Sequence, residues 1–519
     1  MSDPDHRPLP TPTGPNLDPD PAWARVPFYP LPLGLALIAV AYVQTDVSVW
    51  AALRAMLVVL LGSLALLVVA VIVARGRHLG ALIAAAAIVL LRTSDLPHTL
   101  VAALLLALAG GALIYFARLR RAPVLSSATR LLNIGSVALV FVLIGQAVVA
   151  GVPARISADL RDSSAVSSSF RAAAADPPDI YLLMLEDYPR ADTLRRLFGF
   201  DNSAFLDNLT AYGFSVAGNS SSNYMYTSLN LAALFHMQYL ADLPAFRSWQ
   251  AGQSAAPSLR ELINHNPVFD HLRSAGYAIF SSASRWELES VRAADTYCGA
   301  EQVNEFELQA IGDSLVGSAL DVFAHGWRAG RDRSVVNAEL ACVDAATRTA
   351  VAGPRFVLGH IDAPHIPVVF DATGEAAPAA VYSDTAQGVR TTPEEFRRAY
   401  VAELQYLNSR VLGLVREVQT RSARPPIVIV MSDEGSESHL DWSNGANSDL
   451  QERFGTLFAA STPGHPALFG DRPLTVNVFP TLLNAYFGIA LSVRTPRFFV
   501  STAEDRLDLT ETADPFAPR

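Results

Sequence analysis

The sequence contains no lysine, and all 39 of its basic residues are arginine. We attribute this to coding bias rather than to chemistry. With 49 acidic residues the formal net charge is −10, which argues against a nucleic-acid-binding protein, since such proteins are usually basic. Two cysteines exclude a disulfide-rich scaffold and a cysteine-based zinc site. Cys298 and Cys342 both lie in the second half, where they either form one disulfide or stay two separate thiols.

Charge is also scarce: charged residues make up 17% of the chain and hydrophobic residues 51%. The apolar excess lies before residue 152, in five segments: 28–44, 51–74, 79–91, 98–117 and 131–152. A membrane span needs about 20 apolar residues, so the third segment is short and is either a span or a re-entrant stretch. We predict a transmembrane domain of about five spans over 25–152, after a disordered tail over 1–24 that is rich in Pro and Asp.

Arginine placement predicts the orientation of these spans. The loops after the second and fourth segments carry most of the loop arginines, and the alternate loops carry one. Arginine-rich loops are usually cytoplasmic, which places the N-terminus inside the cell and, after five crossings, the C-terminal domain outside. An even number of spans would reverse that last step. A Ser- and Ala-rich linker over 153–178 tethers the C-terminal domain to the bacterial cell membrane.

Residues 179–510 alternate apolar strands with amphipathic helices. We predict strands over 180–185, 277–280, 355–358 and 427–431, and helices over 191–198, 268–275, 393–419 and 478–486. The helix from Pro393 is the clearest, because Thr392 and Glu395 complete a capping box. Alternation of this kind predicts an α/β domain with a mostly parallel sheet flanked by helices.

Two strands end in adjacent carboxylates. Glu186 and Asp187 follow the strand 180–185, and Asp433 and Glu434 follow the strand 427–431. The first pair alone is more typical of a solvated turn, but its recurrence after a second strand favours a site. Parallel strands bring their carboxyl ends to one edge of a sheet, where ligands bind, and paired carboxylates suit a hard divalent metal.

Two further segments carry reactive side chains. Thr227 and Ser228 stand where polar residues lead into an apolar helix; they indicate either an ordinary N-cap or a nucleophile at a helix N-terminus. His360, Asp362 and His365 follow the strand 355–358 in a proline-bounded loop, which either binds a metal or phosphate or is only a loop.

Taken together, these segments resemble the sulfatase-like branch of the alkaline phosphatase superfamily in its membrane-anchored bacterial form. The resemblance covers about 179–505 and rests on the order of its motifs. These are the opening strand with its carboxylate, the Asn-Tyr-x-x-Thr segment at 223–227, the His-x-x-x-Pro-His-x-Pro segment at 360–367, the turn Ser-Asp-Glu-Gly at 432–435 and the closing segment 473–488. The layout is similar to that of lipoteichoic acid synthases and phosphoethanolamine transferases.

The resemblance implies a role for each matched residue. Thr227 would be the nucleophile and a metal ligand, and His365 and His360 would contact the substrate phosphate or sulfate. One or two divalent metals would be held by the remaining site residues: Glu186, Asp187, Asp433 and Glu434. Of the first pair, either Glu186 or Asp187 could be the ligand. Relatives have His where this chain has Glu434, so we expect Mn²⁺, Mg²⁺ or Ca²⁺ rather than Zn²⁺. No Cys/Ser-x-Pro-x-Arg follows Tyr226, so a formylglycine nucleophile cannot form there.

We therefore expect a membrane hydrolase or transferase that acts on a phosphorus-containing ester of a membrane lipid or cell-envelope glycan. The alternative is a catalytically impaired sulfatase-like fold that serves as a binding or scaffolding protein. Transport by the spans themselves is a weaker reading, because they hold few charged residues. A metal site requires Glu186, Thr227 and Asp433 to converge within about 4–5 Å.

Overall fold

The computed structural model describes residues 26–45, 47–92, 124–149, 177–254, 256–299, 302–312, 314–324, 326–381 and 392–517. The predicted tail 1–24, the predicted span 98–117 and most of the predicted linker 153–178 lie outside these residues. The described residues divide into two compact units. Helices of the N-terminal part, with the segment Ala310–Ser318, form the first unit. The second unit is the α/β domain, and each is described by itself.

The N-terminal part contains apolar helices, which are Pro30–Gln44, Val49–Ala74, Arg77–Arg92 and Val124–Val149. Two stretches in the described residues are long and apolar enough to cross a membrane: Val49–Ala74, with a mean hydropathy of 3.2, and Ala128–Val149, with 2.2. The helix Arg77–Arg92 has 16 residues and rises about 24 Å, less than the hydrocarbon core of about 30 Å. The structure thus provides two candidate spans, and five remains a prediction.

A seven-stranded sheet forms the centre of the α/β domain. Its strands are β1 (Ile180–Leu185), β2 (Ser215–Val216), β3 (Ala278–Ser282), β4 (Thr296–Cys298), β5 (Arg355–Ile361), β8 (Ile427–Met431) and β9 (Phe458–Ser461). Across the sheet they lie in the order β2-β9-β8-β1-β5-β3-β4. β8, β1, β5, β3 and β4 run parallel, while β9 and β2 add an antiparallel edge. The predicted mostly parallel sheet is confirmed.

β1 lies in the middle of this sheet because it is apolar on both faces. All six of its residues are buried. Ile180, Leu182 and Met184 pack into one hydrophobic core, and the alternate residues pack into a second core on the opposite face. This pattern is typical of a parallel strand covered by helices on both sides.

Helices cover both faces of the sheet. The first core includes residues of Thr227–His236, Pro267–Ser274 and Val478–Phe487. The second core includes residues of Trp327–Arg348 and Pro393–Arg421, and the latter helix begins with the predicted capping box. Shorter helices complete the domain: Ala191–Thr193, Ser203–Ala211, Pro244–Gln250, Leu259–Asn264 and Leu450–Phe454. Two more, Glu305–Gly312 and Leu315–Phe323, lie partly in the segment Ala310–Ser318 of the first unit. Two small hairpin-like sheets pair β6 (Val368–Phe370) with β7 (Ala376–Val381) and β10 (Phe498–Val500) with β11 (Thr510–Thr512).

Cys298 and Cys342 form a disulfide and are not two separate thiols. The bond joins the end of β4 to the helix Trp327–Arg348, which packs on the second core.

Candidate active site

The carboxyl ends of β1, β5 and β8 bring the predicted site residues to one edge of the sheet. Leu185 pairs with Ile361, and Met184 pairs with Met431. Glu186 therefore follows β1 beside the end of β5, where its N–H donates to the Ile361 carbonyl at 3.0 Å. Asp433 follows β8 on the other side, and its Oδ1 accepts from the Asp187 N–H at 3.3 Å.

Glu186, His360 and Asp433 each bring one ligand atom into a cluster whose members lie within 4.8 Å of one another. All three side chains are buried. Glu186 Oε2, Asp433 Oδ2 and both ring nitrogens of His360 have no hydrogen-bond partner among the described residues. Buried polar atoms normally have partners, so this donor set fits a divalent cation. His360 was predicted to contact substrate, but the structure places it with the carboxylates.

Thr227 lies at the first position of the helix Thr227–His236, next to this cluster. Its Oγ1 is 3.1 Å from Glu186 Oε1 and 3.0 Å from Glu434 Oε1, within hydrogen-bond distance of both. The N-terminal end of a helix favours negative charge, because its first N–H groups point outward. The predicted nucleophile therefore stands where an anionic group would be stabilised.

Glu434 is engaged by groups of the protein itself. Its Oε1 accepts a 2.7 Å hydrogen bond from Arg453, and its Oε2 accepts a 3.0 Å bond from Asn230. Burial raises the pKa of Glu434 well above its usual range; Asp433 and Asp187 add to the rise, and Arg453 opposes it. The structure thus places this predicted metal ligand beside the Thr227 hydroxyl and a buried guanidinium.

Asp187 turns away from its neighbour Glu186. It adopts a left-handed conformation, with φ at 60°, which Asp tolerates better than most residues. Arg453 donates to its Oδ1 at 2.6 Å, and Asp187, His365 and Glu437 bring ligand atoms within 4.8 Å of one another in a second cluster. The His365 side chain remains partly exposed at the rim, in edge contact with the Trp286 ring.

Crowded carboxylates dominate the electrostatics of the first cluster. Burial raises the pKa of Glu186 well above its usual range, and Asp362, Glu289 and Asp433 raise it further. Burial likewise raises the pKa of Asp433. A cation in the cluster would relieve this repulsion, because it favours the charged forms.

Arg285 and Glu339 hold the segment that carries both histidines. The Arg285 side chain donates to the carbonyls of Asp362 and Ile366, and Glu339 Oε2 accepts from the Asp362 N–H at 2.9 Å. The Asp362 carboxylate accepts from Ser284 at 3.1 Å. Asp362 is thus tied into the framework of the segment.

Sequence reasoning missed several of these residues. No local pattern in the sequence singles out Arg453, Asn230, Arg285 or Glu289. Their partners lie far away along the chain; Arg453 and Asp187, for example, are 266 positions apart. The one available signal was charge balance, since a site with this many buried carboxylates requires buried cations.

No protein-family model matches the chain, and no curated protein sequence matches it. Solved structures do match. The C-terminal periplasmic domain of EptC from Escherichia coli, in complex with Zn, is 14% identical with a TM-score of 0.41, and covers 66% of this chain and 96% of that one. Lipooligosaccharide phosphoethanolamine transferase A from Neisseria meningitidis is 11% identical with a TM-score of 0.39, covering 72% and 69%. BT1596, a 2-O GAG sulfatase, is 14% identical with a TM-score of 0.40, covering 63% and 74%.

The matched structures include phosphoethanolamine transferases and a sulfatase. Their similarity to this chain is distant in both identity and TM-score.

Proposed function

We propose that this chain is a membrane-anchored, sulfatase-like hydrolase or transferase of phosphorus-containing esters, with Thr227 as nucleophile. The observation that carries the proposal is the position of Thr227 Oγ1. It lies within hydrogen-bond distance of Glu186 and Glu434, beside three buried metal-ligating side chains with partnerless donor atoms.

Glu186, His360 and Asp433, with the Thr227 hydroxyl, would hold a divalent metal. When bound, that ion supplies Lewis-acid stabilisation of charge on the phosphoryl and threonine oxygens. The expected preference against Zn²⁺ rested on the missing imidazole of the Asp-Glu pair. His360 supplies an imidazole at this cluster, so Zn²⁺ joins Mn²⁺, Mg²⁺ and Ca²⁺ as a candidate. The EptC domain was solved with Zn.

Thr227 and Glu434 carry out the bond-forming and proton-transfer steps. Thr227 Oγ forms a bond to phosphorus while the bond from phosphorus to the leaving oxygen breaks. The hydroxyl proton passes to the Glu434 carboxylate 3.0 Å away. The leaving oxygen takes up a proton from solvent. Water, or an acceptor hydroxyl, then attacks the phosphothreonine and loses a proton to solvent, while Glu434 returns its proton to Thr227 Oγ as the phosphoryl group leaves.

The proposed domain layout would put this chemistry at a membrane surface. We propose a cytoplasmic tail over 1–24, about five spans over 25–152, a linker over 153–178 and an extracytoplasmic domain over 179–510. The two candidate spans support a membrane anchor. The Cys298–Cys342 disulfide supports the extracytoplasmic placement of the α/β domain, because disulfides persist in oxidising compartments. A lipid or cell-envelope glycan of the outer leaflet is the expected substrate or acceptor.

The test uses the purified full chain in detergent. Metal analysis is followed by hydrolysis of bis(p-nitrophenyl) phosphate by the wild type, Thr227→Ala and Ser228→Ala. We expect a bound divalent metal and turnover that Thr227→Ala reduces by at least about 10³-fold. Ser228 is the adjacent buried hydroxyl, so Ser228→Ala is the matched control and should retain most of the activity. Retained turnover in Thr227→Ala excludes the mechanism. Absence of both metal and turnover favours the binding or scaffolding alternative.

A further inference from the structure

The candidate active site is rich in buried carboxylates and poor in uncommitted cations. Its two buried arginines are both engaged. Arg453 bonds Asp187 and Glu434, and Arg285 bonds the carbonyls of Asp362 and Ile366. A phosphate ester carries negative charge, and its approach to such a site requires a cation that can reach its oxygens.

Arg506 is a cation in a suitable place. Its guanidinium carbon lies 4.9 Å from the centre of the Tyr226 ring, and Tyr226 immediately precedes Thr227. Arg506 is half-buried. Within the described part of the chain it forms no hydrogen bond and no ion pair within 4 Å. It therefore stacks on an aromatic ring beside the nucleophile while its donor groups stay available.

The turn that presents Arg506 is fixed on both sides. The Asp505 carboxylate accepts from the N–H groups of Leu507 and Asp508, both at 3.2 Å. Leu507 and Leu509 pack against the first hydrophobic core. Arg506 is thus held at its place by the framework of the domain, which lowers the entropy cost of binding a ligand.

Tyr226 offers a second group in the same place. Its side chain is 3% exposed, and its hydroxyl has no hydrogen-bond partner among the described residues. The positive charge of Arg506 also reaches the buried Glu289, where it partly offsets the rise in pKa that burial causes. Arg506 therefore acts electrostatically on both Tyr226 and the carboxylates of the site.

We propose that Arg506 and Tyr226 form an anion-binding subsite that contacts the non-bridging phosphate oxygens of the substrate beside Thr227. The inference rests on the proposed function and extends it to the residues that bind substrate. Arg506 donates from its planar fork while stacked on the ring, and the Tyr226 hydroxyl donates one further hydrogen bond.

The test measures phosphate binding and turnover separately in the purified full chain loaded with Mn²⁺. Binding of inorganic phosphate is measured by calorimetry, and turnover with bis(p-nitrophenyl) phosphate. Arg506→Gln should weaken phosphate binding and raise KM by about 10- to 100-fold. The phosphate affinity and KM of Arg506→Lys should lie between those of the wild type and Arg506→Gln. Lysine keeps the positive charge but loses the planar set of donors and the stacking on the Tyr226 ring. Tyr226→Phe should weaken phosphate binding by about 3- to 10-fold.

Arg410→Gln is the matched control, because Arg410 is exposed on the helix Pro393–Arg421, and it should change neither quantity. Unfolding midpoints establish that each variant is folded. The proposal is overturned if Arg506→Gln binds phosphate within about twofold of the wild type, or if the Mn²⁺-loaded wild type binds none. Phosphate binding that depends on Arg506 in a chain without turnover supports the subsite and contradicts the proposed catalysis. Turnover in a chain whose phosphate binding does not depend on Arg506 supports the proposed catalysis and contradicts the subsite.

Discussion

Arg453 donates a 2.7 Å hydrogen bond to Glu434, a carboxylate just beyond the end of β8. The two side chains are 3% and 2% exposed. The same guanidinium bonds Asp187 at 2.6 Å and the carbonyls of Gly435 and Met225. Glu434 and Asp187 therefore share one buried cation, and Glu434 Oε1 also lies 3.0 Å from Thr227 Oγ1.

This pairing predicts a large stability effect at Arg453. Arg453→Met leaves Glu434 and Asp187 buried without their cation, which should lower the free energy of unfolding by about 3–5 kcal/mol. The double variant Arg453→Met/Glu434→Gln should recover part of that loss. Unfolding of the metal-free chain, followed by tryptophan fluorescence, measures both.

The control for this double-mutant cycle is an exposed ion pair. Arg397 bonds Glu394 on the surface of the helix Pro393–Arg421, and Arg397→Met should cost less than about 1 kcal/mol. A loss at Arg453 no larger than the loss at Arg397 would contradict the role assigned to the buried pair.

The two histidines of the segment 360–367 should differ in their effect on metal binding. His360→Gln removes a donor from the fully buried cluster with Glu186 and Asp433, so the tightest Mn²⁺ or Zn²⁺ affinity should fall by at least about 10-fold. His365→Gln should leave that affinity within about threefold, because His365 lies at the rim and its neighbour Asp187 is engaged by Arg453. Calorimetric titration of each metal-free variant with Mn²⁺ or Zn²⁺ measures these affinities. The reverse order of effects would show that the second cluster is the main site.

Glu403 predicts a pH-dependent term in stability outside the site. Burial raises the pKa of this carboxyl from 4.5 to about 7. The hydrogen bonds that the N–H groups of Val369 and Phe370 donate to the carboxyl act in the opposite direction and lower its pKa. A raised pKa stabilises the folded state below about pH 4.5, and this contribution is lost as the pH rises through about 7. Glu403→Gln keeps an acceptor oxygen and removes the charge. The free energy of unfolding of Glu403→Gln should therefore equal that of the wild type near pH 4.5 and exceed it by about 3 kcal/mol at pH 8.

Glu417→Gln, on the exposed face of the same helix, is the control for Glu403. The free energy of unfolding of Glu417→Gln should stay within about 0.5 kcal/mol of the wild-type value from pH 4.5 to 8. A flat difference between Glu403→Gln and the wild type over this range would mean that the carboxyl does not titrate there.

The sequence predicted well where one local pattern decides the structure. β1 and β8 have the predicted bounds, because unbroken apolar runs with carboxylates at their ends admit few alternatives. The helix predicted over 393–419 is Pro393–Arg421, since its cap and its apolar face agree.

His360 shows where local reasoning stopped. The strand predicted over 355–358 continues to Ile361, and His360 pairs with Met184 inside the sheet. The local pattern left metal and phosphate open for His360, and the family resemblance implied contact with substrate. The register of β5 against β1 brings His360 close to Glu186. Arg453 could not be assigned for a similar reason, because its partners belong to strand ends that are distant in sequence.

The disulfide gives a prediction about both stability and location. Cys298 and Cys342 are separated by 44 positions, and closing a loop of this length should stabilise the domain by about 4 kcal/mol. Protein purified under non-reducing conditions should show no free thiol under denaturation. Reductant should lower its unfolding midpoint. The double variant Cys298→Ser/Cys342→Ser should already have the lowered midpoint and should not respond to reductant. Two free thiols in protein isolated with alkylation at lysis would contradict the disulfide and, with it, the extracytoplasmic placement of the α/β domain.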